Sequence, residues 1–128
     1  MKKVRKAVAD GRYIIDVLYR ASSRHGRGLK LGIHVRDTHS GKDMVAFDNA
    51  HEKGTGLWPP HLHSGSSRRF YLASDTTSEG PGELLRAGVA IACDRILEEP
   101  QLGEVAKTEI AAALTAMLLQ VLMKEKWA

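Results

Sequence analysis

The chain is poor in the residues that would let it staple itself together or cross a bilayer. Cys93 is the single cysteine among 128 residues, so no disulfide can close within the chain. Its setting in the apolar run "AGVAIACDRIL" reads as a small buried hydrophobe rather than a nucleophile, and a reducing compartment suits it. The opening "MKKVRKAVADGRY" is basic but lacks the continuous apolar region of a signal peptide. No uninterrupted apolar stretch approaches the roughly 20 residues of a membrane helix. The expectation is a soluble, cytoplasmic protein with no membrane partner. Also missing are a glycine-rich phosphate loop followed by Lys-Ser or Lys-Thr, a dinucleotide fingerprint, and the Gly-x-Ser-x-Gly frame that "HSGS" at 63–66 would need as a nucleophile elbow.

What is present divides the chain in two. Residues 1–72 carry 14 Lys or Arg against 6 Asp or Glu, and hold all six histidines; residues 73–128 carry 5 against 9. A basic field attracts polyanions, so the first part points to nucleic acid or an acidic protein partner, with a solvated surface as the plain alternative. The acidic balance of the second part, which lacks a recognition-helix pattern, speaks against reading DNA in a groove. The length suits one domain over 1–128, with a β-rich basic part at 1–73 and a helical part at 81–126.

Periodicity supports the same division. "DG" at Asp10 and Gly11 predicts a two-residue hairpin turn between "VRKAVA" and "RYIIDVLYRA". Leu29, Leu31, Ile33 and Val35 alternate with Lys30, Gly32, His34 and Arg36, a strand with one buried and one wet face. "DTHSGK" at 37–42 predicts a turn into the strand "DMVAFD", and "RRFYLAS" a further strand. From Pro81 the spacing is helical, with Leu84, Leu85, Val89, Ala92 and Ile96 on one side; "PQLG" at 100–103 breaks it. A second helix begins near Glu104, its apolar arc spanning Ile110, Leu114, Met117, Val121, Leu118, Leu122 and Leu119. That arc is broader than one core-facing stripe needs, so both the sheet and a second subunit are expected to cover it. The fold class is therefore α+β: an antiparallel meander of four or five strands followed by two C-terminal helices packed on the sheet or in a homodimer.

The segment "FDNAHEKGTGLWPPHLH" at 47–63 concentrates three histidines. Three readings compete. Cleavage of RNA by its own 2′-hydroxyl needs a base, an acid and cationic help, which two imidazoles and nearby cations can supply without a metal. His61 and His63 are the candidate acid and base in unassigned order, with His51 as a third. Lys53, Arg68, Arg69, Lys30 and Arg36 are candidate phosphate contacts, and Trp58 a stacking platform for an unpaired base. Alternatively His61 and His63 present two ligands to zinc, joined by His51, Asp48, His34 or His39. In the third reading the segment is a structural loop, shaped by Asp48, Asn49, Gly54 and the two prolines.

The opening hairpin "DGRYIIDVLYR", the basic strand, and Phe47, Asp48, Asn49, His51, Lys53, Gly54, His61 and His63 together resemble the TumE-type toxins of bacterial toxin-antitoxin modules. The likeness covers residues 10–75. Here "TGLWPP" separates Gly54 from the His-x-His pair, and the helical part is longer than in that family. The resemblance implies a cytoplasmic toxin with a cognate antitoxin partner and supplies no mechanism. Combined with the residues, it leads to the expectation of a toxin-like, metal-independent endoribonuclease without a cofactor. A non-enzymatic module that binds an acidic protein or nucleic acid is the alternative.

Overall fold

The computed structural model describes residues 1–21, 29–48, 52–53, 56–57, 61–64, 68–71 and 80–127, with side chains described at 1–21, 29–48 and 80–127. In chain order the elements are β1 (Lys2–Val8), β2 (Tyr13–Ala21), β3 (Leu29–Asp37), β4 (Lys42–Asp48), β5 (Glu52–Lys53), β6 (Gly56–Leu57), β7 (His61–Ser64), β8 (Arg68–Tyr71), α1 (Pro81–Leu97) and α2 (Glu104–Glu125). Six strands form one antiparallel sheet in the order β1-β2-β3-β4-β7-β8, while β5 and β6 pair separately. The expected α+β architecture, an antiparallel meander with two C-terminal helices, is the one found. The sheet is longer than expected because His61–Ser64 is a sheet strand. Four residues, two of them histidine, are too few to show an alternation in sequence.

The first hairpin turns through four residues, Ala9 to Arg12, rather than two. Ala9, Asp10 and Gly11 all have positive φ (52°, 54° and 85°), and the Gly11 N–H donates to the Val8 carbonyl. Thr38 in the β3–β4 turn closes over this loop, its hydroxyl donating to the carbonyls of Gly11 and Arg12 at 2.9 Å. Arg12 adds a two-pronged ion pair to Asp37, at 2.8 and 3.2 Å, so the two turns at this end of the sheet act as one unit.

One face of the sheet is the core. Leu29, Leu31, Ile33 and Val35 of β3 are fully buried, and so are Ile15, Val17 and Tyr19 of β2 and Phe47 of β4. The helices cover that face, α1 against β3 and β4, α2 against β1 and β2. All five apolar residues expected to face inward from α1 do so, as do Ile110, Leu114, Met117, Val121 and Leu122 of α2. Each buried Leu, Ile, Val or Met among them contributes roughly 1.5–3 kcal/mol relative to exposure. α1 approaches β4 so closely that a Cβ on Gly88 would lie 2.8 Å from the Phe47 ring. Cys93 faces α2 half-buried, 3.8 Å from the Ala111 carbonyl, and burial raises its thiol pKa, as suits a packing residue.

The C-terminus is tied to the opposite end of the sheet. Lys126 is left-handed (φ 59°) and turns the chain so that the Trp127 N–H reaches the Leu122 carbonyl at 2.9 Å. The Trp127 ring then meets Tyr19 edge-on, at 5.8 Å between centroids. The Tyr19 hydroxyl donates to Glu125 (3.0 Å), which also accepts from Lys2 (2.7 Å). Burial, with the Glu125 bond, pushes the Tyr19 phenol up to about 12. α2 differs from the sequence expectation in one respect: its composition and 22-residue length suffice to cross a membrane, with a window of mean hydropathy 1.5, of which 33% is buried inside the protein. Thr108, Thr115 and Gln120 break the apolar run in sequence without lowering that mean far.

Two outcomes follow. Gly88→Ala forces a methyl into the Phe47 ring and costs about 1–3 kcal/mol in urea unfolding, and the double variant with Phe47→Leu recovers part of that loss. Asp37 is held at about 2, below the ordinary 3.8, chiefly by the Arg12 hydrogen bond. A depressed carboxyl stabilises the fold above its unfolded pKa, and that stability is lost as pH falls towards 2. Asp37→Asn therefore lowers stability at neutral pH and flattens the loss between pH 4 and 2, read by thermal unfolding across that range.

Candidate functional site

Strand register, rather than sequence proximity, assembles the site. Arg5, Asp16, His34, Ala46, His63 and Arg69 are successive partners across the six strands. The neighbouring row is Lys3, Leu18, Gly32, Asp48, His61 and Tyr71. Because side chains alternate along a strand, the residues of these rows in β1–β4 lie on the face turned away from the helices. Val4, Val17, Ile33 and Phe47 form the core-facing row between them. Strand spacing puts the backbones of His34 and His63 roughly 10 Å apart, and His61 and His63 stand roughly 7 Å apart along β7.

His34 is the described imidazole in this arrangement. Its Nδ1 lies 3.4 Å from Asp43 Oδ2, a long and weak contact, and the side chain is one-third exposed. Its Nε2 leans back over Gly32, so closely that a Cβ there would stand 3.3 Å away. Gly32 thus provides the space in which the ring lies. One strand over, Arg5 grips Asp16 through two bonds of 2.7 and 3.0 Å, and this hydrogen bonding lowers the Asp16 pKa despite partial burial. Asp16 is ionised at neutral pH and faces His34 in register.

The other candidates distribute as follows. Lys30 is half-buried opposite Arg20, and Arg36 is exposed opposite Ile14. Asp48 is only 6% exposed. His39 is an exposed turn residue whose N–H donates to Asp37. His61 and His63 are placed in β7, Lys53 in β5, and Arg68 and Arg69 in β8, with their side chains outside the description. Arg69 shares the His34–His63 row, whereas Arg68 aligns with Ser64 and Val45, the row that is core-facing in β4. His51, Asn49, Gly54 and Trp58, with the calls made on them, lie outside the described residues. Among the described residues no three His, Cys, Asp or Glu side chains form a group that could hold a metal.

Sequence reasoning missed Arg5 and Asp16 as parts of this face, and placed Gly32 on it without the space it makes for the His34 ring. Arg5 and Asp16 were within reach of it, because a turn centred on Asp10 and Gly11 pairs them whether it has two residues or four. Gly32→Ala makes a direct test of the His34 placement. The added methyl displaces the ring, so the His34 ring resonances move in an NMR spectrum while the rest of the amide pattern is retained. Comparison with protein-family models, with curated proteins and with solved structures finds no match for the chain.

Proposed function

We propose that the chain is a TumE-like, cytoplasmic toxin whose basic sheet face binds RNA and cleaves it without a metal. His61 and His63 act as acid and base in unassigned order, with His51 as a third candidate. Arg69, Lys30 and Arg36 contact phosphate from that face, Lys53 from the separate β5–β6 pair; Arg68, an expected contact, has the opposite parity in β8 and is left out of this face. Trp58 stacks on a base, and an antitoxin protein neutralises the activity. The observation that carries the reading is the register: His34, His63 and Arg69 fall in one row and His61 in the next, in line with the strand face turned away from the helices, on which His34 is one-third exposed and Ala46 and Asp48 are buried. Two imidazoles about 7 Å apart along a strand can serve opposite sides of one phosphodiester. Lys3, Arg20 and Arg36 are exposed on the same face and add the positive field that draws in a polyanion.

A second reading has an observation of its own. Asp16 and Asp43 both stand beside His34, and Arg5 is already engaged with Asp16, which leaves this part of the row nearly neutral. Such a face suits a non-enzymatic module that docks an acidic protein or nucleic acid through its margins.

Purified protein is expected to cleave single-stranded RNA in the presence of EDTA. His61→Ala and His63→Ala each slow cleavage by about 100-fold or more, while RNA binding persists and weakens with salt. RNA bound but left intact establishes the binding module instead. RNA neither bound nor cut sinks both nucleic-acid readings.

A further inference from the structure

We infer that the outward face of α2 docks a second copy of this chain, helix against helix in antiparallel orientation. Val105 and Met123 are 74% exposed and Leu119 is 54% exposed, three of the five exposed large hydrophobic residues described. With Ala112 and Ala116, also exposed, they form a single stripe. At 100° per residue the stripe lies on the side of α2 opposite Ile110, Leu114, Met117 and Val121, so the protein's own core cannot cover it. Val105, Ala112 and Leu119 repeat every seven residues, and Glu109, Ala116 and Met123 repeat in the same way, offset by four, so the seam is apolar from Ala112 to Met123 and carries one carboxylate near its start. This alternation of three and four forms a seam between paired helices. The two alanines sit midway along it, where two backbones can approach closely.

Charge selects the occupant and its direction. Thr108, Thr115 and Gln120 border the stripe along its length, and the flank it shares with Thr108 begins at Glu104, with the exposed Lys126 just beyond the last helical residue at the other end. Glu104 is 89% exposed, with only a loose 3.6 Å contact to Lys107. Two copies in antiparallel register set Glu104 beside Lys126 of the partner subunit, twice over, and place Ala112 against the partner's Ala116. Glu109, at the seam position one heptad before Ala116, is drawn towards the first hairpin, where it accepts from the Ala9 N–H at 3.1 Å, and in the paired helices it lies near the neutral Gln120 of the partner subunit. A parallel pairing brings acidic end to acidic end and basic to basic. Antiparallel helices also oppose their dipoles favourably.

The proposal concerns the helical layer and is independent of the RNA reading, which concerns the far face of the sheet. Sedimentation of the full chain at high micromolar concentration is expected to give twice the chain mass. Leu119→Glu gives a single chain with an unchanged circular dichroism spectrum. Glu104→Lys weakens the dimer about tenfold, and the exchange Glu104→Lys with Lys126→Glu restores it to within about threefold. Wild-type protein of single-chain mass overturns the proposal, as does a dimer indifferent to Leu119→Glu or not rescued by the exchange. Because α2 is apolar enough for a bilayer, vesicles of phosphatidylcholine and phosphatidylglycerol form the remaining arm. A monomer that sediments with them through Leu119 assigns the stripe to lipid and overturns the proposal as well.

Discussion

Burial of one sheet face beneath two helices is the constraint on which everything else depends. Val17, Ile33 and Phe47 must stay under α1 and α2, and side chains alternate strictly, so a slip of one residue in any strand would exchange core for solvent. The position of Gly88 against Phe47 tightens this constraint to a contact that tolerates no extra methyl. Once the inward parity is fixed, the outward set follows: Arg5, Asp16, His34 and their row partners share a face because their neighbours are needed inside. The candidate site is in this sense a by-product of packing, and its members are dispersed in sequence from residue 5 to residue 69.

The same constraint explains what the sequence disclosed. Leu29 to Arg36 alternates over eight residues, long enough to identify both the strand and its wet face, and Leu84 to Ile96 repeats long enough to reveal a helix and its buried side. The Asp10-Gly11 pair located the centre of the first hairpin, hence its register, although not the length of the loop. The four-residue loop is held by Thr38 and Asp37, which lie 25 to 27 residues further along the chain. The strand at His61–Ser64 was not legible as part of the sheet, since it is short, polar and defined only by its pairing with β4. The space above Gly32 was hidden for a similar reason. A glycine in a strand carries no mark of the ring that leans over it.

Two layers imply two independent surfaces. The helical layer turns its core residues inward and an apolar seam outward. The sheet layer turns its core residues inward and a mixed row of cations, carboxylates and imidazoles outward. Of the seven residues in the broad apolar arc of α2, the sheet and α1 bury only part, and Leu119 is left on the opposite side. Pairing through that seam would put the two sheet faces at opposite ends of an assembly.

β1 is the outermost strand at one end of the sheet, and among the described residues no strand lies beyond it. An open edge of this kind invites another edge to add on, a route to fibres. Lys2, Lys3, Arg5 and Lys6 guard it, Lys3 and Lys6 most directly because Lys2 and Arg5 already face Glu125 and Asp16; two such strands meeting edge to edge would crowd these cations into one ladder. That guard is electrostatic, so anything that neutralises it disarms it: a nucleic acid in excess, held along β1, would remove the repulsion that keeps separate molecules from zipping together.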